Sequence, residues 1–111
     1  MPRPCKCRRV RGLPGASYFK PIGIPLIHLE ECVLSLEGFE ALRLADGEGL
    51  GMDEAAQRMG VSRHTFGRIL RKARHAVAEA LVLGRALGVE GGTYSMDGQD
   101  AQDASAQNGT F

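Results

Sequence analysis

The sequence predicts an all-α fold, a three-helix core built on a helix-turn-helix and preceded by an extended basic N-terminal arm. Three observations predict it. Residues 52–82 combine a small residue (Ala56), a glycine (Gly60) and a capping serine (Ser62) at the offsets that two crossed helices and their turn require. Apolar residues recur at helical rather than alternating spacing on both sides of that glycine. The opening Met-Pro-Arg-Pro-Cys-Lys-Cys-Arg-Arg-Val-Arg holds two prolines and five cations with no acid, a composition that disfavours helix and repels itself.

Taken in order, residues 1–28 read as a basic arm and an irregular strap. Gly12, Pro14, Gly15, Pro21, Gly23 and Pro25 break regular structure, while Tyr18, Phe19, Ile22, Ile24 and Leu26 are expected to anchor the strap on the helical core. Residues 29–90 form the helix-turn-helix domain. Within it Glu30–Leu34 is compatible with a strand or with one helical turn. Ser35 then stands as an N-cap, and the first helix runs over 36–45 with Leu36, Phe39, Leu42 and Ala45 inward; Asp46-Gly47-Glu48-Gly49 ends it. The helix-turn-helix covers 52–82. Ala55, Ala56, Met59, Val61, Phe66 and Ile69 occupy its small and apolar offsets, Gly60 turns the chain, and Ser62 caps a second helix from Arg63. Gly84 and Gly88 weaken helix beyond Leu83, and Gly91-Gly92 stop it. Residues 91–111, rich in Ser, Asp, Gln, Ala and Gly, read as a disordered tail.

The second helix is amphipathic in a way that suggests chemistry. At about 100° per residue, Phe66, Ile69, Leu70, Ala73 and Val77 form a buried stripe, and His64, Arg68, Arg71 and His75 fall opposite, flanked by Thr65 and Lys72. Its first turns, Ser62, Arg63, His64, Thr65, Gly67 and Arg68, would enter a major groove, where an arginine pairs both acceptors of a guanine edge. Gly67 withdraws a side chain from that face. Arg71, Lys72 and Arg74 lie further along, at phosphate distance, and Arg3, Arg8 and Arg9 of the arm suit phosphates or an adjacent minor groove. Double-stranded DNA is therefore the expected partner. A single helix makes a small interface, so a homodimer is expected too, with Val77, Leu81 and Leu83 as its candidate surface.

Charge distribution agrees with that reading. The formal net charge is only +1 over 111 residues, but residues 1–20 hold six Lys/Arg and no acid, and residues 58–85 hold seven with Glu79 as the one acid. Residues 21–57 carry eight acids against Arg43. Two basic segments on an otherwise acidic chain are the footprint of a phosphate binder. The apolar stretch Ile22–Ile27 is far below the ~20 residues a membrane span needs, and the basic start lacks the apolar core of a signal peptide. A cytoplasmic protein with reduced cysteines is expected, and no membrane association. No nucleophile has a base at recognisable spacing, so no enzyme is predicted. No cofactor is predicted either. Cys5, Cys7, His28 and Cys32 are the residues that would hold zinc, but Cys-x-Cys is less typical of such sites than Cys-x-x-Cys.

Several stretches together resemble a known family. Cys-Arg-Arg-Val, Phe-Lys-Pro, Glu-Ala-Leu-Arg-Leu-Ala-Asp-Gly-Glu-Gly-Leu, Glu-Ala-Ala-Gln-Arg-Met-Gly-Val-Ser-Arg and Ala-Leu-Gly-Val-Glu-Gly-Gly are similar to the domain of unknown function 134 family, also called uncharacterised protein family 0251, small prokaryotic proteins predicted to bind DNA. The resemblance spans residues 1–94. Its helical part resembles region 4 of sigma factors, which reads a promoter element through the second helix of its helix-turn-helix; that implies base contacts at Arg63, His64, Thr65, Gly67 and Arg68. Gly67 and His64 depart from the longer polar side chains usual there, so promoter specificity does not carry over. The function expected is sequence-specific DNA binding and transcription regulation. The alternatives are a module docking on RNA polymerase or another protein, and a metal- or redox-responsive switch.

Overall fold

In a computed structural model, which describes residues 7–96, local signals set the helices. The Ser35 hydroxyl accepts from the Gly38 amide at 3.0 Å and starts α1, Leu36–Leu42. A π-helical turn over Arg43–Gly47 follows, in which the Glu48 amide reaches the Arg43 carbonyl at 2.8 Å and Leu44 is fully buried. The helix expected over 36–45 therefore widens at its end instead of stopping at Asp46. After α2, Met52–Met59, Gly60 takes a left-handed φ of 70° and the Val61 amide closes on the Ala56 carbonyl at 3.1 Å. A residue with a Cβ would be strained there. Ser62 then caps α3, Arg63–Leu83, by accepting from the Thr65 amide at 3.0 Å, and Gly84 ends α3 in a second left-handed conformation.

The chain is a mixed α/β fold, and the all-α expectation is corrected by two small sheets. Arg8–Val10 (β1) runs parallel to Tyr94–Met96 (β5), Arg8 opposite Tyr94. Ala86–Val89 (β4) is the centre of a three-stranded sheet, antiparallel to Tyr18–Phe19 (β2) and parallel to Glu31–Leu34 (β3). The residues after Gly84 are thus a central strand rather than failing helix, and the segment that was open between strand and helical turn is β3. Strands of two to four residues are too short to display alternation, and each finds its partner far away in sequence. The tail expected from residue 91 likewise begins as an ordered strand, with Tyr94 only 7% exposed; residues 97–111 lie outside the described residues.

Two apolar clusters hold these layers together. One is the three-helix core of Ala41, Leu44, Ala55, Ala56, Met59, Phe66, Ile69 and Leu70. The other joins the sheets to α1 and α3 through Val10, Leu34, Leu36, Ala73, Val89 and Tyr94. Helix α3 serves both, burying Phe66, Ile69 and Leu70 in the first and Ala73 in the second, and this leaves its opposite face to solvent. The strap departs from expectation. All five expected anchors, Tyr18, Phe19, Ile22, Ile24 and Leu26, are exposed instead of being buried on the core.

Candidate nucleic-acid interface

The exposed face of α3 begins at the cap. Ser62, Arg63, His64, Arg68, Arg71, Lys72 and Arg74 are all exposed, Thr65 and Gly67 are half-buried, and Phe66 between them is fully buried. This half of α3 stands between two concavities. On one side, a cleft of about 520 Å³ is lined by Met52, Arg63, His64, Gly67, Arg68 and Arg71. On the other, a cleft of about 680 Å³ runs past Thr65, Arg68 and Lys72 to Arg8 and Gly92. Arg68 borders both, so it crowns the ridge.

Ion pairing separates the basic residues into two groups. Arg74 is held by Asp46 through two hydrogen bonds of 2.8 and 3.1 Å, and the Asp46 carboxyl is held below its ordinary pKa by that guanidinium. Arg58 pairs with Glu54 at 3.1 Å and Arg85 with Glu30 at 3.0 Å. Arg63 has only the distant, exposed Asp53 at 3.5 Å. Among the described residues, Arg68, Arg71 and Lys72 have no carboxylate within 4.0 Å. Three adjacent cations with no internal counter-charge leave a local positive field. Arg74, expected among the phosphate contacts, instead ties α3 to the π-helical turn.

Gly67 has a neighbour that sequence reasoning missed. A Cβ there would come within 3.3 Å of the Met52 methyl at the start of α2, so the glycine both opens the cleft and fits the methionine beneath it. The methionine carried no signal in the sequence beyond being a helix-start apolar residue.

The arm is placed by carboxylates. Glu40, 5% exposed, accepts two bonds from Arg43, each at 2.8 Å, and one from the Arg11 amide at 3.1 Å. Arg43 also bonds Glu48, and the two carboxylates hold its guanidinium strongly in the charged form. Glu37 accepts from the Thr93 amide at 2.6 Å and lies 3.9 Å from Arg8. These bonds fix β1 and β5 beside the helices. Arg9 lies over the turn, its guanidinium 3.4 Å from where a Cβ on Gly60 would stand. Arg8 and Arg9 thus flank the first turn of α3, whereas Arg3 and Cys5 lie outside the described residues. In the sequence Glu37 and Glu40 are only two of the eight acids of residues 21–57; the Glu40-x-x-Arg43 spacing was the available hint of a pair.

Of the zinc candidates within the described residues, Cys7, His28 and Cys32 do not converge. Cys32 is buried in β3 with its thiol 3.5 Å from a Glu79 carboxylate oxygen, His28 is exposed in a 3₁₀ turn, and Cys7 precedes β1 in the other sheet. Among the described residues, no group of three or more His, Cys, Asp or Glu is placed to hold a metal ion. None of their helices is long and apolar enough to cross a membrane.

This chain belongs to the family described as protein of unknown function DUF134, whose model matches residues 1–97. It is similar to a UPF0251 protein of Caldanaerobacter subterraneus subsp. tengcongensis, 55% identical over 100 residues that cover 90% of this chain and 85% of that one. The UPF0251 protein of Moorella thermoacetica is 59% identical over 98 residues, 88% of this chain and 66% of its own length. That of Desulforudis audaxviator is 60% identical over 94 residues, 85% and 61%. The chain therefore spans about two thirds or less of the last two relatives. No solved structure matches it.

Proposed function

We propose that the chain is a sequence-specific DNA-binding protein, a regulator of transcription, that lays the first half of α3 in the major groove. The observation that carries this reading is the unbalanced charge of Arg68, Arg71 and Lys72, on a ridge between two clefts, in a protein whose other α3 arginines, and Arg85 just before β4, are paired with its own acids. A helix standing proud of its surroundings fits a groove about 12 Å wide, and the flanking clefts accept the two sugar-phosphate backbones. Arg68 at the crest reads a base edge. His64 and Thr65 lie on either side of it for further base contacts, while Arg71, Lys72 and the exposed Arg9 neutralise phosphate.

The test is selection from a pool of random duplexes at near-physiological salt with the reduced protein. An enriched motif that disappears with Arg68→Ala supports the reading and supplies the site. Retention without enrichment reduces it to electrostatic binding, and no retention rejects it.

A further inference from the structure

A second face of the molecule plays no part in that reading. Among the described residues, the exposed large apolar side chains other than Val33 lie in two stretches, Tyr18 to Ile27 and the last turn of α3. Ile22 is 98% exposed, Ile27 85%, Leu81 78% and Val82 81%. Soluble chains rarely leave such residues together without a use. Topology brings the stretches together. β2 ends at Phe19 opposite Leu87 and β3 begins at Glu31 opposite Ala86, so both ends of the intervening loop are fixed beside the segment that follows Leu83. Where the start of the loop, Phe19 and Pro21, meets Leu81 on the last turns of α3, a groove of about 460 Å³ is lined by these three with Val77 and Leu87.

We propose that this face joins two copies of the chain about a two-fold axis. Area supports that occupant. The large apolar side chains of the loop and helix end are 37–98% exposed, and at roughly 100 Å² for a fully exposed one they offer on the order of 600 Å² per copy, the low end of a standard stable interface. Charge supports it as well, because a two-fold contact needs a surface complementary to itself. The rim carries both signs. Among the described residues the Lys20 ammonium bonds only the neighbouring Pro21 carbonyl at 3.1 Å, and Glu30, paired with Arg85 on one side, is exposed across the patch with its side chain at 76%. In a symmetric pair, Lys20 of each copy meets acids of the other. β2 itself is two residues long and followed by Lys20 and Pro21, features that discourage strand addition, so the contact is made by side chains.

The dimer does not depend on the DNA-binding reading. Leu81 lies thirteen residues beyond Arg68, about 20 Å along α3 at 1.5 Å per residue, so the first turns of both copies stay clear of the interface. A dimer of this kind makes the selected DNA motif two half-sites.

Sedimentation equilibrium across micromolar concentrations tests it. The wild-type protein is expected at twice the 11.9 kDa chain mass, and Leu81→Glu and Ile27→Glu are each expected at 11.9 kDa. Both side chains are exposed, so matching circular dichroism melts verify that the variants fold. Arg68→Ala is expected to remain dimeric, which separates this face from the DNA ridge. A wild-type protein that stays at the single-chain mass overturns the proposal, as does a dimer that survives both substitutions.

Discussion

Arg74 and Lys72 are two residues apart on α3 and do different work, because one has an internal partner and the other has none. If α3 binds DNA as proposed, Lys72→Ala removes a phosphate contact and is expected to lower the slope of log affinity against log salt by about one unit, read from binding isotherms at several salt concentrations. Arg74→Ala is expected to leave that slope unchanged. It costs stability instead, and less than about 1 kcal/mol, because its pair with Asp46 is half exposed and screened. The Asp46 carboxyl titrates below its ordinary 3.8, so the pair's contribution is fully present above that value and is lost as pH falls through the depressed pKa. Acid titration of Arg74→Ala against wild type is expected to close the stability gap below the ordinary carboxylate range and keep it at neutrality. Gly67 is a second residue-scale case. Gly67→Ala gains up to about 1 kcal/mol of helix propensity, less what the Met52 methyl loses in moving a few tenths of an ångström. Its melting temperature is therefore expected to hold or rise while duplex affinity falls, because the new methyl group fills the cleft. A parallel fall in both would make the glycine a packing residue only.

At the scale of elements, the caps and carboxylate anchors decide what is held in place. Ser62→Ala removes the acceptor for the Thr65 amide and is expected to cost about 1 kcal/mol in chemical denaturation, fraying the turn that carries Arg63 and His64. Glu40→Ala takes away the buried carboxylate that binds both Arg43 and the Arg11 amide. Since Arg43 keeps Glu48, the expected loss is at the lower end for a broken buried pair, about 3 kcal/mol, with the Arg11 amide losing its protection from hydrogen exchange. What was readable in the sequence follows the same division. Ser35, Gly60, Ser62 and the stripe from Phe66 to Ala73 act within a few residues of themselves, so residue type and spacing announce them. β1 with β5, and β3 with β4, join residues more than fifty positions apart through strands of three or four residues, which leave no periodic trace. The exposure of His64, Arg68 and Arg71 follows from helical period alone. The capture of Arg74 by Asp46, 28 residues away, and the placing of Met52 beneath Gly67 follow from the fold and from nothing local.

For the whole molecule, layers and charge combine into two chemically distinct faces. The three-helix core and the sheet layer both pack on α3, which leaves one half of that helix as a basic ridge and its far end as part of an apolar surface. Arms and sheets matter here because β1 holds Arg8 and Arg9 alongside the ridge, whereas a free basic tail would be repelled by its like charge. The most direct test is a titration of the isotopically labelled protein with a duplex, following each backbone amide by nuclear magnetic resonance. Shift changes are expected to concentrate on residues 60–72 and on β1, with residues 18–27 and 81–83 unmoved. Changes centred on the acidic surface of α2 or on the apolar end, with Arg68 and its neighbours silent, would contradict the major-groove reading of α3.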